Sequence, residues 1–196
     1  MIKTILAFLL LSSTLLYADE TKRFILHNEE VVLEKAAEKM EEMMSELYEK
    51  TGIAIYLSAI AKLPQEHTIT TYENELAQTL SGSFVLIAVS RLDQQIDLVA
   101  SPDLEDRFSK NELLRKYIIP FFVERRRDVN PQQQMSAGLL NGVAHITDHF
   151  AEQEGVFLLS SIGSESENFI KGLMLVIKIM LALTIIAMFI AWYRSR

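Results

Sequence analysis

The sequence predicts an α/β fold, an α/β sandwich in which a small mixed β-sheet is flanked by α-helices. Two nearly continuous apolar runs, 53–60 and 84–89, have the length and composition of buried strands. A segment with helical periodicity lies between them, and this order indicates a right-handed parallel crossover. A third run, 96–100, alternates in polarity after a short polar link, so it predicts an antiparallel hairpin with the second strand.

Four segments with helical periodicity flank these strands. Asn28 is a favourable N-cap residue for the first of them. Ser109 caps the third, which stops before Pro120 because a residue that precedes a proline avoids helical dihedrals. Gly138 and Gly142 lower the helix propensity of the fourth, which indicates that another element approaches closely there. The four segments are 28–52, 68–80, 109–119 and 132–153.

The N-terminal segment 1–18 is typical of a secretory signal peptide. Lys3 provides a basic start, an apolar run extends to Leu16, and Ala18 precedes the acidic Asp19. Leu16 is larger than the small residue usual at the third position before a cleavage site, so an uncleaved signal anchor is the alternative. In either case we expect the middle of the chain to be exported.

The range 169–193 predicts one C-terminal transmembrane helix. Its apolar core, Gly172–Tyr193, would be about 33 Å long at about 1.5 Å per residue, which matches a hydrocarbon layer of about 30 Å. A buried core helix is the alternative, although such helices are usually shorter and less uniformly apolar. Lys178 either snorkels to the interface or pairs with a carboxylate on a second membrane helix. The arginines of the tail 194–196 predict that this end is cytoplasmic.

The acidic residues are confined to the middle of the chain. All 26 lie between Asp19 and Glu167, whereas five of the 19 basic residues lie outside that segment. Such an acidic domain would repel a phosphate backbone, so we expect no nucleic-acid partner. The chain has no cysteine, which excludes disulfides, thiolate metal sites and cysteine nucleophiles. We therefore expect one exported domain over 19–154, joined by a linker, 155–168, to the membrane segment.

Three acidic residues follow the third predicted strand: Asp103, Glu105 and Asp106. They come after a polar hairpin that carries Asp93, and we expect this hairpin to lie beside them. Carboxylates gathered at a sheet edge can bind a hard cation, so Glu105, Asp103 and Asp106 are candidate ligands for calcium or magnesium. The alternative is a helix start at which acidic side chains face the positive end of the helix dipole.

A second candidate cluster lies on the fourth helix. His145 and His149 are four residues apart, so both could bind zinc from one helical face, and Asp148 lies between them. The sequence offers no obvious third ligand. The alternative is that both histidines are structural or surface residues.

The order of these elements resembles the TPM domain family over roughly 28–150. A helix ends in Leu47–Gly52 and leads directly into the first strand, and a helix with Tyr72 leads to the apolar strand Phe84–Val89. A charged hairpin and a strand into Leu104–Glu105 follow. The remaining segments that carry the resemblance are Ile118–Phe122 and Ala137–Leu139.

This resemblance implies an α/β sandwich fold. The family includes a thylakoid-lumen protein linked to photosystem II repair and acid phosphatase activity, and an animal modulator of acetylcholine receptors. Its metal-binding members usually carry an Asp-Asn-Gly type turn before the strand that begins here at Phe84, where this chain has Ser81-Gly82-Ser83. The family's Gly-Leu-Glu motif corresponds to Asp103-Leu104-Glu105, and a later acidic position falls near Lys110. Only Glu105 therefore matches a metal-site position of the family.

Two functions follow from these observations. The first is a membrane-anchored binding or maintenance module on the periplasmic side of the inner membrane, which assists the assembly, repair or regulation of a membrane protein complex. Its partners would be the bilayer, through a single C-terminal helix, and another membrane protein. The alternative is a metal-dependent phosphatase or related hydrolase. No cofactor is expected beyond calcium or magnesium.

Overall fold

The computed structural model describes residues 22–123, 130–162, 178–181 and 184. The predicted signal peptide 1–18, most of the predicted span 169–193 and the tail 194–196 lie outside the described residues, so these assignments stay predictions. Within the described ranges, no helix is long and apolar enough to cross a membrane.

Four strands form one mixed sheet in the order β1-β2-β3-β4. β1 and β3 are both parallel to β2, whereas β4 pairs antiparallel with β3. The predicted parallel pair and the predicted hairpin are therefore confirmed. Every residue of β2 and β3 is buried, as expected for strands that are covered on both faces. The strands are β1 (Ile25–Asn28), β2 (Ala54–Ile60), β3 (Phe84–Ser90) and β4 (Gln95–Ala100).

Helices pack against this sheet to complete the α/β fold. The two long helices, α1 and α5, pack against each other, and α2 packs on β3 and β4. Apolar residues of α1 and α5 join those of the sheet in one continuous core. The helices are α1 (Glu34–Thr51), α2 (Ile69–Ala77), α3 (Lys110–Glu112), a π-helix (Leu113–Ile118), α4 (Ile119–Val123) and α5 (Pro131–Gln153), with a short 3₁₀ helix at Glu105–Arg107.

The predicted start of the first helix at Asn28 was wrong. Asn28 is the last residue of β1, and its side chain accepts hydrogen bonds from the backbone N–H groups of Val31 and Val32. The side chain of Asn28 therefore stabilises the turn between β1 and α1, and α1 begins only at Glu34.

The predicted stop before Pro120 was also wrong. The chain stays helical through Pro120 to Val123, because a π-helix precedes it and Ile119 donates its backbone N–H to the carbonyl of Leu114, five residues earlier. A proline has no N–H to donate to the preceding turn, and the wider π-helical turn accommodates that loss. The Tyr117 carbonyl accepts a hydrogen bond from the side-chain amide of Asn141 on α5, at 2.9 Å.

Candidate functional site

Asp103 lies just beyond the end of β4, next to the turn that leads into β3. Its carboxylate accepts a hydrogen bond of 2.6 Å from the Ser83 hydroxyl. Hydrogen bonds from Ser83 and then Ser101 lower the pKa of Asp103, and the positive charge of Arg107 adds to the effect. The structure thus brings the Ser81-Gly82-Ser83 turn against Asp103, where the serine hydroxyl binds one of the two carboxylate oxygens.

Glu105 and Asp106 belong to the exposed 3₁₀ helix that follows. Arg107, in the same turn, points to the C-terminal end of α5, where it donates hydrogen bonds to Gln153 and Glu154. Among the residues that the structure describes, no three His, Asp or Glu side chains are arranged to hold a metal ion. The assignment of calcium or magnesium to Glu105, Asp103 and Asp106 therefore stays a prediction that needs a binding measurement.

The hairpin that carries Asp93 does not lie beside these acidic residues, so that expectation was wrong. Asp93 accepts hydrogen bonds from the backbone N–H of Leu63 at 2.7 Å and the hydroxyl of Ser90 at 2.6 Å. It lies in the turn between β3 and β4, whereas Asp103 follows the far end of β4. A six-residue strand extends about 20 Å, so the two carboxylates are at opposite ends of the sheet.

The histidines of α5 have separate structural partners. The ring of His145 stacks on Tyr117, with ring centroids 3.6 Å apart, and burial lowers the pKa of this half-buried histidine. The Nε2 atom of His149 donates a hydrogen bond of 2.8 Å to the carbonyl of Arg107. Asp148 accepts a hydrogen bond of 2.8 Å from the Ser161 hydroxyl, away from both rings. These contacts support the structural interpretation of the histidines over the zinc interpretation.

A small cleft of about 160 Å³ opens beside the two histidine rings. Glu112 of α3 is the one carboxylate that lines it. The remaining lining residues are Phe108, Ser109, Leu113, His145, Ile146 and His149.

A row of four residues, polar on three of the four strands, crosses the sheet beneath α2. Strand register places His27, Ser58, Ala88 and Asp97 side by side on β1 to β4. The Ser58 hydroxyl lies 3.0 Å from Nδ1 of His27 and 2.7 Å from the hydroxyl of Tyr72 on α2. These hydrogen bonds satisfy a serine that is fully buried between helix and sheet.

Next to Tyr72, Glu73 of α2 points at the β4 end of this row. Glu73 is 2% exposed and lies beside Asp97, and its Oε2 atom has no hydrogen-bond partner among the described residues. Asp97 in turn forms an ion pair of 2.6 Å with Lys110 of α3. Burial and the negative charge of Asp97 raise the pKa of Glu73 to about 8. Sequence reasoning missed this group, although helical spacing from the apolar Ile69 already indicated that Glu73 faces the sheet.

The chain that follows α5 folds back onto α1 in a segment that we name the terminal strap, residues 156–162. Glu46 of α1 holds it, accepting hydrogen bonds from the backbone N–H groups of Leu159 at 2.8 Å and Ser160 at 2.7 Å, and from the Ser160 hydroxyl at 2.6 Å. Partial burial opposes ionisation of Glu46, but hydrogen bonds from Lys50 and Ser160 outweigh it and lower its pKa to about 2. The strap therefore packs on the domain, whereas the rest of the predicted linker 155–168 lies outside the described residues.

Side chains of the terminal strap alternate between solvent and the core from Phe157 to Ser160, and Ser161 is also buried. Leu158 and Ser160 are buried, at 3% and 4% exposure. Phe157, Leu159 and Ile162 are exposed by 50%, 78% and 41%. The strap thus presents three large apolar side chains from a backbone that is fixed to α1.

Comparisons with known proteins agree with the resemblance seen in the sequence. The family model described as the TPM domain matches residues 26–149. Among solved structures, the N-terminal domain of a protein from P. gingivalis is similar with a TM-score of 0.56 and 12% identity, over 69% of this chain and 86% of that one. BA42 protein from the psychrophilic bacterium Bizionia argentinensis has a TM-score of 0.47 and 15% identity, over 63% and 84% of the two chains. A search of the curated proteins found no match.

The match to the family model covers well over half of the chain and all four strands from Leu26 onward. The P. gingivalis structure independently supports the fold at a level of identity that carries no functional conclusion. This chain belongs to the TPM domain family.

Proposed function

We propose that this TPM domain is a membrane-anchored binding module outside the cytoplasm, which assists the assembly, repair or regulation of a membrane protein complex. The observation that carries this proposal is the terminal strap, which is fastened to α1 at Leu159 and Ser160 and to α5 at Ser161. Only ten residues, 163–172, separate the strap from the apolar stretch that begins at Leu173. Ten residues extend at most about 36 Å, so an anchored domain would stay close to the bilayer and to proteins within it.

The end of the sheet near Asp103 supports binding rather than turnover. Phosphoryl transfer depends on metal ions or cations that are positioned to stabilise charge on the transferred group. Here the carboxylate of Asp103 is hydrogen bonded to Ser83, and Glu105 is exposed on a separate turn. This arrangement favours a module that recognises a partner over a hydrolase.

The topology can be tested with reporter fusions. A reporter that is active only outside the cytoplasm should work when it is fused after Glu154 and fail when it is fused after Arg196. The opposite pattern would refute both the topology and the proposed class of partner. Carbonate extraction of the full chain should leave it in the membrane pellet.

The partner can be sought by crosslinking in intact membranes, because the chain has no cysteine of its own. Single cysteines at exposed positions on three sides of the domain, Glu38, Thr70 and Leu92, would each carry a photoreactive label. We expect one side to give a discrete adduct with an integral membrane protein, identified by mass spectrometry. Equal, diffuse labelling from all three positions would contradict a specific binding module.

A further inference from the structure

We propose that the terminal strap is a lipid-docking surface, on which Phe157, Leu159 and Ile162 enter the interfacial layer of the bilayer and hold this end of the domain against it. The inference rests on the anchored topology proposed above. Anchoring through the predicted C-terminal helix alone would leave the orientation of the domain open. The present inference assigns a membrane contact to the folded domain itself and therefore defines which end of the domain faces the lipid.

The backbone of the strap is prepared for an apolar environment. An unpaired N–H or C=O group is costly in lipid, so a docking segment must satisfy these groups internally. Glu46 accepts the N–H groups of Leu159 and Ser160, and Lys50 donates to the carbonyl of Phe157 at 2.5 Å. The N–H of Val156 is bonded to the carbonyl of Ala151 at 2.9 Å. These four backbone groups, which flank Phe157 and Leu159, would therefore keep their partners when the apolar side chains enter the interface.

Charge around the strap does not oppose this contact. No residue of 155–164 is charged. Of the charged side chains beside it, Lys50 pairs with Glu46 at 2.6 Å, Glu154 pairs with Arg107 at 2.5 Å, and Asp148 accepts a hydrogen bond from Ser161. The net acidity of the domain thus lies outside the strap, and we expect docking to depend on apolar contact rather than on anionic lipid.

Both ends of the described domain leave it near the strap. Lys22 is the first described residue, and its ammonium lies 3.8 Å from the centroid of the Tyr48 ring. Tyr48 belongs to the same last turns of α1 as Glu46 and Lys50, which hold the strap. The chain therefore enters and leaves at one end of the sheet, and the ten-residue connection to Leu173 brings that end to the bilayer.

The size of the apolar surface favours lipid over a second protein. A stable protein interface uses about 20–30 residues on each side, whereas the strap offers three exposed large side chains. Aromatic and aliphatic side chains that project from an otherwise polar surface are typical of proteins that bind in the membrane interface. Lipid is therefore the proposed occupant of this surface, and a protein partner is the alternative that the experiment below distinguishes.

The test compares two exposed leucines at opposite ends of the domain. Leu159 is 78% exposed on the strap, and Leu92 is 63% exposed in the turn between β3 and β4. Each is replaced by cysteine in the full chain, labelled with an environment-sensitive fluorophore and reconstituted into phosphatidylcholine vesicles. We expect lipids with brominated acyl chains to quench the label of Leu159→Cys several-fold more strongly than that of Leu92→Cys, and iodide in the buffer to show the reverse order.

Flotation of the same vesicles separates the inference from the proposed anchoring. If the full chain does not float with the vesicles, the anchored topology fails and the docking inference fails with it. If the chain floats but both labels respond to iodide alike, docking is overturned while anchoring stands. If the Leu159→Cys label is shielded only in native membranes, the surface belongs to a protein partner and the lipid assignment is overturned.

Discussion

Glu73 on α2 is buried beside Asp97 on β4, and its Oε2 atom has no hydrogen-bond partner among the described residues. Asp97 forms an ion pair of 2.6 Å with Lys110 of α3. Burial disfavours the charged form of Glu73, and the negative charge of Asp97 adds to this effect. The pKa of Glu73 is thereby raised to about 8, so Glu73 is protonated at neutral pH.

The first prediction is that the stability of the domain falls as pH rises. The pKa of Glu73 is about 8 in the folded domain and about 4.3 in an unfolded chain. The folded state therefore binds more protons between these values, and its extra stability is complete below about pH 4 and lost as pH rises to about 8. We expect Glu73→Gln to remove this loss, which is on the order of 5 kcal/mol over the full range. Thermal unfolding between pH 5 and 9 measures it.

Glu38→Gln is the control for this experiment, because Glu38 is exposed on α1, away from the contact between α2 and β4. The melting temperature of this control should follow that of the wild type at every pH. The melting temperature of Glu73→Gln should rise relative to both of them as pH increases. Parallel curves for Glu73→Gln and the wild type would show that Glu73 is ionised in the folded domain across this range.

The second prediction concerns Glu46, whose carboxylate holds the terminal strap. Glu46→Gln removes the negative charge from four hydrogen bonds, so in a soluble fragment of residues 19–162 we expect a loss on the order of 2 kcal/mol in the free energy of unfolding. Because the folded pKa of Glu46 is about 2, this stabilisation is present above about pH 4.5 and disappears as pH falls toward 2. Urea unfolding at pH 7 and pH 3 measures both effects.

Glu42→Gln is the control on the preceding turn of α1, where Glu42 forms only an exposed ion pair with Lys39. Such pairs contribute about 0–1 kcal/mol, so this variant should unfold close to the wild type. If Glu42→Gln and Glu46→Gln were equally stable, the hydrogen bonds to the strap would contribute nothing.

The third prediction concerns Gly142 of α5. A Cβ atom at this position would lie 2.6 Å from Cδ1 of Ile118 and closer still to Cγ1, so Gly142→Ala forces two elements apart. We expect a net loss of about 1–2 kcal/mol, because the cost of overpacking exceeds the gain in helix propensity. Ile118→Val should cost less in the Gly142→Ala background than in the wild type. Additive losses in this double-mutant cycle would show that the two residues do not touch.

The fourth prediction is that the domain is not a competent phosphatase. We expect no turnover of a generic phosphomonoester by the 19–162 fragment with calcium, magnesium or manganese, and no difference between the wild type and Glu105→Gln. Asp103, Asp106 and Glu105 could still bind one calcium ion weakly, since calcium tolerates irregular oxygen ligation. Metal-dependent turnover that vanishes in Glu105→Gln would favour the hydrolase over the binding module.

The sequence predicted β2, β3 and β4 because the burial of each strand is visible in its own residues. β2 and β3 are continuous apolar runs, and β4 alternates in polarity. β1 escaped prediction because only Ile25 and Leu26 are apolar among its four residues. Contacts with a distant residue stabilise this end of the chain, as the carboxylate of Glu41 on α1 accepts the N–H groups of Phe24 and Ile25 at 2.7 and 2.9 Å. No local pattern reveals such a pairing.

The same reason limits what the sequence shows of candidate sites. Acidic residues that are adjacent in sequence, Asp103 and Glu105, were easy to group, yet the structure places Asp103 against Ser83. Glu73 and Asp97 are 24 positions apart in the sequence, and the packing of α2 on β4 brings them together. The close approach at Gly142 was predictable from the sequence. Glycine lowers helix stability, so a glycine inside a helix indicates that a larger side chain would not fit there.

The bonds from Glu46 to Ser160 connect residues 114 positions apart. If the chain is exported as an extended polymer, as proposed above, α1 is delivered first and the terminal strap last, just ahead of the final apolar stretch. Until residue 160 has crossed, the half-buried carboxylate of Glu46 would lack three of its donors and the core beneath Leu158 would be open. The last step of folding would then wait for the last residues of the domain to be translocated, so the native state and the finished topology would be reached together.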